Sequence, residues 1–359
     1  MTDVAIDEVL RPIAPLRIEW QPRVFLPFHP NGMKFVAFDK DKNKTNEWIC
    51  YSVGGGALSE GENSRWLNNQ REVYQKNTLT DIQQWCEENG RGYWEYVNEC
   101  EEEDIWDYLM EVWRAMQESV ERGIDHEGAL PGPLNLPRKG PIYYVKASGY
   151  KQSLQSRALV YAYALSVSEE NASGGTIVTA PTCGSCGVLP AVLYHLAKGH
   201  KFSDIRILHA LATAGIFGNV VKTNASISGA DVGCQGEVGV ACAMASAAAC
   251  QLFGGSPSQI EYAAEMGLEH HLGMTCDPVC GLVQIPCIER NAFAATRALD
   301  ANLYASFSDG THTVSFDRVV KVMKQTGHDL PSLYKETSEG GLARAYEMHL
   351  KQKKENKKI

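Results

Sequence analysis

Three cysteines in the second half of the chain occupy turn-like settings in which they could bind a metal centre. Cys234 follows a glycine, Cys276 precedes an Asp-Pro pair, and Cys287 follows a proline. Glycine and proline beside a thiol fix the local backbone and leave the sulfur free to point at a common centre. Three converging thiolates can hold a [4Fe–4S] cluster and leave one iron without a protein ligand.

Other cysteines of the chain have different surroundings. Cys242 and Cys250 lie in an apolar, helix-like run, which is typical of thiols that pack as small hydrophobic residues. Cys183 and Cys186 form a CxxC pair, a pattern also found in zinc sites and thiol redox motifs. The next close pair is spaced CxxxC and no βαβ pattern surrounds the CxxC, so both of these readings are disfavoured. Buried, inert thiols remain the alternative for the whole set.

Polar residues near these cysteines are candidates for substrate binding. Asn224, Ser226 and Ser228 precede Cys234 in a short polar run and offer amide and hydroxyl donors. The alternative for this run is a helix cap followed by a turn. Thr182 opens a glycine-rich turn that leads into a predicted helix, where free backbone N–H groups suit a carboxylate.

Two histidines are candidates for a general base. His270 ends a predicted helix, where a histidine often makes only a favourable contact with the helix dipole. His29 lies in a predicted turn near the N terminus. Acidic residues around the cysteines are too numerous to single out one of them as the base.

Composition limits the class of protein. The 359 residues are 44% hydrophobic and 21% charged, which is typical of a globular protein with a sizeable core. A net charge of −9 argues against nucleic acid and anionic membranes as partners. Eleven unevenly spaced cysteines do not form a secreted disulfide pattern, and the N terminus lacks the features of a signal peptide. We therefore expect a cytoplasmic protein with reduced thiols.

The chain is predicted to be mainly α, with a helical catalytic domain preceded by a small β-rich (α+β) N-terminal segment. Residues 1–60 contain three predicted strands at 23–26, 33–38 and 48–53, followed by a triple-glycine turn. Residues 61–350 form the helical domain, in which the proline-rich stretch 130–139 is a predicted hinge or subdomain boundary. The Lys-rich tail 351–359 is predicted to be disordered. Helices are predicted at 81–88 (capped by Asp81), 101–122, 153–169, 188–197, 203–222, 237–253, 257–270, 287–305 and 315–327.

Several long motifs together resemble one enzyme family. They are SGADVGCQGEVGVAC, AAEMGLEHHLGMTCDPV, VQIPCIERNA, TAPTCGSCGVLPAVL, EGALPGPLNLPR and ETSEGGLA. Across residues 80–345 they resemble the catalytic α domain of the bacterial iron–sulfur L-serine dehydratases. The resemblance implies a helical catalytic domain after a separate β domain, with Cys234, Cys276 and Cys287 as ligands of a [4Fe–4S] cluster.

The resemblance also implies a reaction. An open cluster iron would act as a Lewis acid in eliminating water from L-serine, and the product would hydrolyse to pyruvate and ammonia. There are two alternatives. The same kind of cluster could eliminate sulfide from cysteine, or the chain could be a non-catalytic paralogue or subunit. The implied partners are a small amino-acid substrate and a second protein chain, either in a homo-oligomer or as a β-type chain.

The chain departs from the family pattern at two cysteines, at its C-terminal end and in its N-terminal segment. Cys183 stands where the family usually has asparagine, and Cys280 stands where it usually has alanine. Many members end in a cysteine that can cap the open iron, whereas this chain ends in Lys-Lys-Ile. Residues 23–56 resemble only the end of the β domain, without its Ser-rich, His-bearing motif. We therefore expect weak activity of the isolated chain, or dependence on a partner.

Overall fold

The computed structural model describes residues 2–21, 24, 26–29, 31–61 and 72–356. The chain divides into two compact units. One consists of Met1–Val53 with Ala57–Gln70, and the other of Gly54–Gly56 with Arg71–Ile359. The division places the small sheet and the large helical part in different units.

The first unit contains a helix and a three-stranded antiparallel sheet. Helix α1 (Thr2–Leu10) precedes strands β1 (Gly32–Phe38), β2 (Lys44–Ser52) and β3 (Leu58–Ser59), and the strand order is β1-β2-β3. The turn between β1 and β2 forms because the Asp39 carboxylate accepts the backbone N–H groups of Asp41 and Asn43. The mainly α fold with a small N-terminal sheet is confirmed.

The strand predictions are only partly correct. The stretches 33–38 and 48–52 lie in β1 and β2. In the strand predicted at 23–26, Arg23 and Phe25 lie outside the described residues, and Val24 and Leu26 are not in a strand. The third strand of the sheet is β3 instead. Helix α1 was not predicted from the sequence.

The second unit is helical. Its helices are α2 (Leu79–Asn89), α3 (Tyr93–Cys100), α4 (Ile105–Asp125), α5 (Gly140–Ala147), α6 (Gln152–Ala172), α7 (Val188–His200), α8 (Asp204–Asn224), α9 (Gly229–Val232), α10 (Val240–Leu252), α11 (Pro257–Glu269), α12 (Cys287–Ser306), α13 (Phe316–Asp329) and α14 (Gly341–Asn356). Every helix predicted from the sequence is present.

The alanine-rich helix α10 lies at the centre of this unit, and all its residues except Gln251 are buried. Small residues allow its neighbours to approach closely. At Gly267 of α11, an added Cβ would lie 2.9 Å from the Cα of Ala243. Larger side chains fill the outer layer, where the ring of Phe217 contacts Tyr93 and Phe316 at centroid distances of 5.2 and 5.3 Å.

Helix α2 begins one turn earlier than the predicted cap. Thr78 is the N-cap residue, and its hydroxyl oxygen accepts the backbone N–H of Asp81. Asp81 therefore lies in the first turn, where its charge favours the positive end of the helix dipole. The prediction of Asp81 as the cap was wrong because a threonine three residues upstream makes the capping hydrogen bond.

The proline-rich stretch 130–139 is fixed rather than hinge-like. The backbone N–H of Leu130 donates to Leu136 O at 2.8 Å, and Arg138 forms a buried ion pair with Glu170 of α6 at 2.9 Å. The carboxylate of Glu170 also binds Arg122 and His126. Buried charges require such partners, so this stretch is anchored to α6.

The C-terminal tail also differs from the prediction. Helix α14 continues to Asn356, so residues 351–356 of the tail predicted as disordered are helical. Residues 357–359 lie outside the described part of the chain. This helix was not predicted because its second half is rich in lysine and its apolar residues are concentrated in its first half.

Candidate functional site

The candidate site is built on an irregular turn that leads into α10. Cys234 precedes a π-helical turn, Gln235–Gly239, and α10 begins directly after it. The fully buried side chain of Gln235 fixes this turn, because its amide N–H donates to Val232 O at 2.7 Å. Its carbonyl oxygen accepts the backbone N–H of Gly273 and the hydroxyl of Thr326, both at 3.0 Å. One glutamine thus connects the Cys234 turn to the loop that carries Cys276.

Two cysteines converge on one carboxylate. The Sγ atoms of Cys234 and Cys276 and a carboxylate oxygen of Glu237 all lie within 4.8 Å of one another. Both thiols donate toward Glu237 Oε2, at 3.8 Å from Cys234 and 3.9 Å from Cys276. The other carboxylate oxygen, Oε1, accepts a 2.7 Å hydrogen bond from the Thr182 hydroxyl. Three segments distant in sequence, those of Thr182, of Cys234 with Glu237, and of Cys276, therefore meet at this carboxylate.

Burial of these groups changes their acidity. Burial and the nearby charge of Glu336 raise the pKa of Glu237 to about 7. The hydrogen bond with Cys234, followed by burial, holds the pKa of Cys276 far above its usual value. Burial and the charges of Cys234 and Glu237 raise the pKa of Cys287 as well. Cys276 and Cys287 are therefore held as thiols, and metal binding must displace their protons.

The third predicted ligand, Cys287, lies beside this group. It is buried, follows Pro286 and is the first residue of α12, but it does not belong to the set of ligand atoms within 4.8 Å. The buried amide of Asn291 ties it to the glycine-rich turn, donating to Cys287 O at 2.9 Å and Gly184 O at 2.8 Å. Asn291 thus holds the CxxC turn and the start of α12 together.

Two glycines allow the segments to close around Glu237. An added Cβ at Gly229 would lie 2.7 Å from Glu237 Oε2 and 3.2 Å from Cys276 Sγ. An added Cβ at Gly184 would lie 2.9 Å from Glu237 Oε1. Both distances to the carboxylate are too short for a side chain. The ligand atoms therefore lie in a cradle that a methyl group would fill.

A C-terminal segment covers the Cys276 loop. The backbone N–H of Cys276 donates to Tyr334 O at 2.8 Å, and the N–H of Thr337 donates to Cys276 O at 3.2 Å. Asp277 accepts the backbone N–H of Leu342 at 2.7 Å. The sequence marked ETSEGGLA as a motif but gave no sign of this contact, which joins residues about 60 positions apart in the chain.

The predicted substrate-binding residues fall into two groups. The Asn224 amide donates to Asn77 O at 2.6 Å and Val220 O at 2.8 Å. The Ser226 hydroxyl donates to Asp231 at 2.8 Å and accepts the N–H of Ser228 at 3.1 Å. These are the hydrogen bonds of the cap-and-turn alternative.

Ser228 and Thr182 have different settings. Ser228 is buried at the start of α9 but makes no capping hydrogen bond with its side chain. Thr182 is buried and bonded to Glu237. The triple-glycine turn, predicted to be a plain turn, contacts both segments. An added Cβ at Gly55 would lie 3.1 Å from Pro181 O, and one at Gly54 would lie 3.5 Å from Ser228 Cβ.

The predicted histidines lie in unlike environments. His270 is exposed at the end of α11. Its neighbour His271 is buried with Nδ1 2.7 Å from Gly267 O, and burial lowers its pKa to about 4. His29 belongs to the first unit, where its Nδ1 accepts the backbone N–H of Asn31 at 3.2 Å.

The remaining cysteines named from the sequence are distributed as follows. Cys242 and Cys250 are fully buried in α10, as predicted for packing thiols. Cys186 is fully buried at the start of α7, whereas Cys183 is exposed in the adjoining turn. Cys280 is exposed and adopts a left-handed conformation with φ of 58°.

The donor set around Glu237 fits an iron–sulfur centre. Three buried thiols, two of them in direct contact with one carboxylate, are an arrangement that side-chain packing does not require. Thiolates are the usual ligands of iron–sulfur clusters, and the carboxylate supplies an acceptor for displaced thiol protons. The residues present are therefore compatible with such a group held by Cys234, Cys276 and Cys287.

The chain is similar to known serine dehydratases. The family model described as "Serine dehydratase alpha chain" matches residues 41–343, and "Serine dehydratase beta chain" matches residues 12–63. An L-serine dehydratase of Streptomyces coelicolor is 44% identical over 333 residues, covering 89% of this chain and 73% of that protein. L-serine dehydratase 1 of Escherichia coli is 43% identical over 331 residues, covering 89% of this chain and 72% of that protein.

Among the residues that the structure describes, no helix combines enough length with enough apolar character to cross a bilayer.

Proposed function

Since the chain belongs to the iron–sulfur L-serine dehydratase family, we propose that it is an L-serine ammonia-lyase that produces pyruvate and ammonia. The convergence of Cys234, Cys276 and Thr182 on the buried carboxylate of Glu237 is the observation that carries this proposal. The relatives that match most of the chain are named L-serine dehydratases, which supports serine as the substrate. A cytoplasmic location with reduced thiols is part of the proposal.

The proposed cofactor is a [4Fe–4S] cluster held by Cys234, Cys276 and Cys287. When bound, such a cluster with one iron free of protein ligands supplies a Lewis acid that weakens the Cβ–O bond of the substrate. Glu237 Oε2 accepts both neighbouring S–H groups and is therefore the nearest acceptor for the protons that must leave these thiols. Cys183 and Cys280 are exposed and are left out of the proposed ligand set.

Thr182 and Ser228 are the proposed contacts for the substrate. The Thr182 hydroxyl is held by Glu237, and Ser228 lies buried beside the triple-glycine turn. The Ser228 side chain offers a hydroxyl donor to an amino-acid carboxylate, whereas the Thr182 oxygen, whose proton is donated to Glu237, can accept from an amino-acid ammonium group. Asn224 and Ser226 position the same segment, because their side chains are bonded to the backbone and to Asp231. Each residue thus has either a binding role or a positioning role in the proposal.

A base must remove the Cα proton of serine. His270 and His29 are the proposed candidates, and their surroundings differ. His270 is exposed, so its ring is accessible to a substrate. In His29 the backbone N–H of Asn31 occupies Nδ1, so the neutral ring carries its proton on Nε2. A change of tautomer would be required before His29 Nε2 could accept a proton.

A substrate assay tests the proposed activity. The full chain should be purified anaerobically, its iron and sulfide measured, and pyruvate formation followed with L-serine and L-cysteine as alternative substrates. We expect pyruvate from L-serine at a rate that scales with iron content. Pyruvate from L-cysteine alone would support the sulfide-eliminating alternative. No product from either, in an iron-replete chain with or without a β-type chain, would contradict an enzymatic function.

Substitution of Thr182 by valine tests its proposed role in binding. The change keeps the shape of the side chain and removes the hydroxyl that bonds Glu237. We expect a higher KM for L-serine with unchanged iron content. Ser156→Ala is a suitable control, because it removes a hydroxyl bonded to His195 on an exposed part of α6. Equal KM values for Thr182→Val and the control would contradict the role.

A further inference from the structure

Arg290 is a cation at the edge of the candidate site, in the first turn of α12. It lies three residues after Cys287, so the two side chains lie on the same face of the helix. Only 19% of its side chain is exposed, although arginine is normally a surface residue. A charged group that leaves water must find partners within the protein. The partners of Arg290 therefore indicate its role.

The shortest hydrogen bond of the Arg290 side chain goes to the loop that carries Cys276. Its Nη1 donates to Thr275 O at 2.6 Å, and Thr275 directly precedes Cys276. The Thr275 hydroxyl in turn donates to Asp277 Oδ1 at 2.9 Å, on the other side of the cysteine. A side chain that starts one helical turn from Cys287 thus fixes the backbone beside Cys276. The relative position of these two cysteines depends on it.

The positive charge of Arg290 is not taken up by a close carboxylate. Its Nη2 lies 3.9 Å from Asp277 Oδ1, whereas charge-assisted N–H···O bonds are about 2.7–2.9 Å long. Asp277 is buried, and its other oxygen accepts the backbone N–H of Leu342 at 2.7 Å. The short hydrogen bond of Arg290 goes to a neutral carbonyl instead. Its charge therefore also acts on other groups nearby.

Cys287 is one of these groups. Burial and the charges of Cys234 and Glu237 raise the pKa of the Cys287 thiol, and the charge of Arg290 acts in the opposite direction. Thiolates at the three proposed ligands would add negative charge in a buried place beside Glu237. Buried charge of one sign requires charge of the other sign close by. Arg290 supplies it at the start of α12.

From these contacts we propose that Arg290 is a positioning residue of the candidate metal centre, with two functions. Its hydrogen bond to Thr275 O holds the Cys276 loop against α12, and its charge offsets that of the thiolates. The inference rests on the proposed function, because it requires a cluster bound by the three cysteines. Residues that support metal ligands typically change metal affinity about 10–100-fold, and nearby charge shifts the reduction potential of a cluster.

Two substitutions separate the charge from the hydrogen bond. Arg290→Gln removes the charge and keeps an N–H donor, whereas Arg290→Lys keeps the charge and loses the planar guanidinium. Arg297→Gln is the matched control. It removes one positive charge from an exposed position of the same helix, about two turns or 10 Å further along.

The reduction potential of the bound cluster is the first measurement. Each full-length chain is reconstituted anaerobically and titrated with dithionite, which delivers one electron to each cluster, while visible absorption is followed. Loss of a nearby positive charge favours the oxidised form. At the wild-type midpoint, Arg290→Gln should therefore raise the ratio of oxidised to reduced cluster about tenfold or more, equivalent to a fall of about 59 mV. Arg290→Lys and Arg297→Gln should leave this ratio unchanged.

Iron retention is the second measurement. Arg290→Met removes the charge and the hydrogen bond together, and should lose iron to a chelator about tenfold faster than the wild type. Arg297→Gln should retain iron like the wild type. Circular dichroism shows whether each variant stays folded. The two variants that keep a polar side chain, Arg290→Gln and Arg290→Lys, carry the test if Arg290→Met does not fold.

Three outcomes would overturn the proposal. A cluster in Arg290→Gln with the wild-type potential and the wild-type iron retention would remove the role of Arg290 and leave the proposed cluster intact. A fall in potential that Arg290→Lys shows equally would assign the effect to altered packing rather than to charge. A wild-type chain that binds no cluster would overturn this inference together with the proposed function.

Discussion

Two groups of buried thiols in the helical unit differ in their neighbours rather than in their burial. Cys242 and Cys250 lie within the regular helix α10, and burial alone accounts for most of the rise in their pKa, to about 12 and about 11. Cys234 and Cys276 are almost as buried, but they lie in turns and contact each other and Glu237. Burial therefore does not mark a metal ligand. The convergence of a second thiol and a carboxylate on the same sulfur is what distinguishes the proposed ligands Cys234 and Cys276 from the packing thiols.

The two regions are also held together by different interactions. Around α10, alanine and glycine allow helices to pack through apolar contacts alone. Around Glu237, single side chains such as Gln235 and Asn291 join irregular segments through several hydrogen bonds each. The first arrangement tolerates small changes in side-chain volume, whereas the second depends on each polar partner. The following substitutions test this difference, beginning with the largest expected effect.

Gly229→Ala should disrupt the candidate site without a general loss of folding. Its Cβ would lie 2.7 Å from Glu237 Oε2 and 3.2 Å from Cys276 Sγ, so the segments must move apart. We expect the bound iron per chain to fall more than tenfold after anaerobic reconstitution. The control is Gly215→Ala in α8, where an added Cβ meets no atom within 4 Å. The control should bind iron like the wild type and gain up to about 1 kcal/mol of stability from helix propensity.

Glu170→Gln tests whether a buried ion pair can be lost without a change in metal binding. The change leaves the buried Arg138 without a charged partner, which should lower the free energy of unfolding by about 3–5 kcal/mol. Burial opposes ionisation of Glu170, but hydrogen bonds from His126, Arg138 and Arg122 outweigh it and lower the carboxyl pKa. Iron content should be unchanged, since this residue does not belong to the thiol cluster.

The sign of the pH dependence follows from that lowered pKa. The ion-pair contribution is fully present above the unfolded carboxyl pKa of about 4.3 and is lost as pH falls through the lower folded value. The stability difference between wild type and Glu170→Gln, measured by urea unfolding, should therefore shrink below about pH 4. A difference that is constant from pH 7 to pH 3 would contradict the role of the charge.

Gln235→Ala should have a smaller effect on stability. It removes the acceptor of the Gly273 N–H and the donor to Val232 O, at a cost of about 1–3 kcal/mol. Iron binding should weaken with it, because this side chain joins the loops of Cys234 and Cys276. Ser246→Ala in α10 is the matched control, since its buried hydroxyl donates to Cys242 O within the same helix and lies away from the Cys234 turn. Equal iron binding by the two variants would show that Gln235 does not hold the site.

The sequence predicted the regular helices better than it predicted the contacts around Glu237. Apolar periodicity and capping residues identified the helices from 153 to 327, because these signals are local. Ser256 is one example: it caps α11 with the proline that follows it, as the sequence indicates. The cysteine turns were recognised from neighbouring glycine and proline and from the family motifs. Helices α1, α3, α5, α9 and α14 were not predicted from the sequence.

The residues at the centre of the candidate site were harder to identify from the sequence. Glu237 could not be distinguished from the other acidic residues of the region, because its position beside two thiols depends on contacts between distant segments. The same holds for the C-terminal segment that covers Cys276. Asn224 and Ser226 donate hydrogen bonds to Asn77 O and to Asp231, partners that the sequence did not indicate, and their role in binding a substrate stays a prediction. Local sequence does not reveal which partner a polar group finds after folding.

Iron and acid-labile sulfide content after anaerobic reconstitution tests the central claim most directly. The wild type, Cys276→Ser and Cys242→Ser should be compared at equal protein concentration, together with their visible absorption. We expect about four irons and four sulfides per chain in the wild type and in Cys242→Ser, and loss of the chromophore in Cys276→Ser. A Cys276→Ser variant that keeps its full iron content, while Cys183→Ser or Cys186→Ser loses it, would contradict the proposed ligand set.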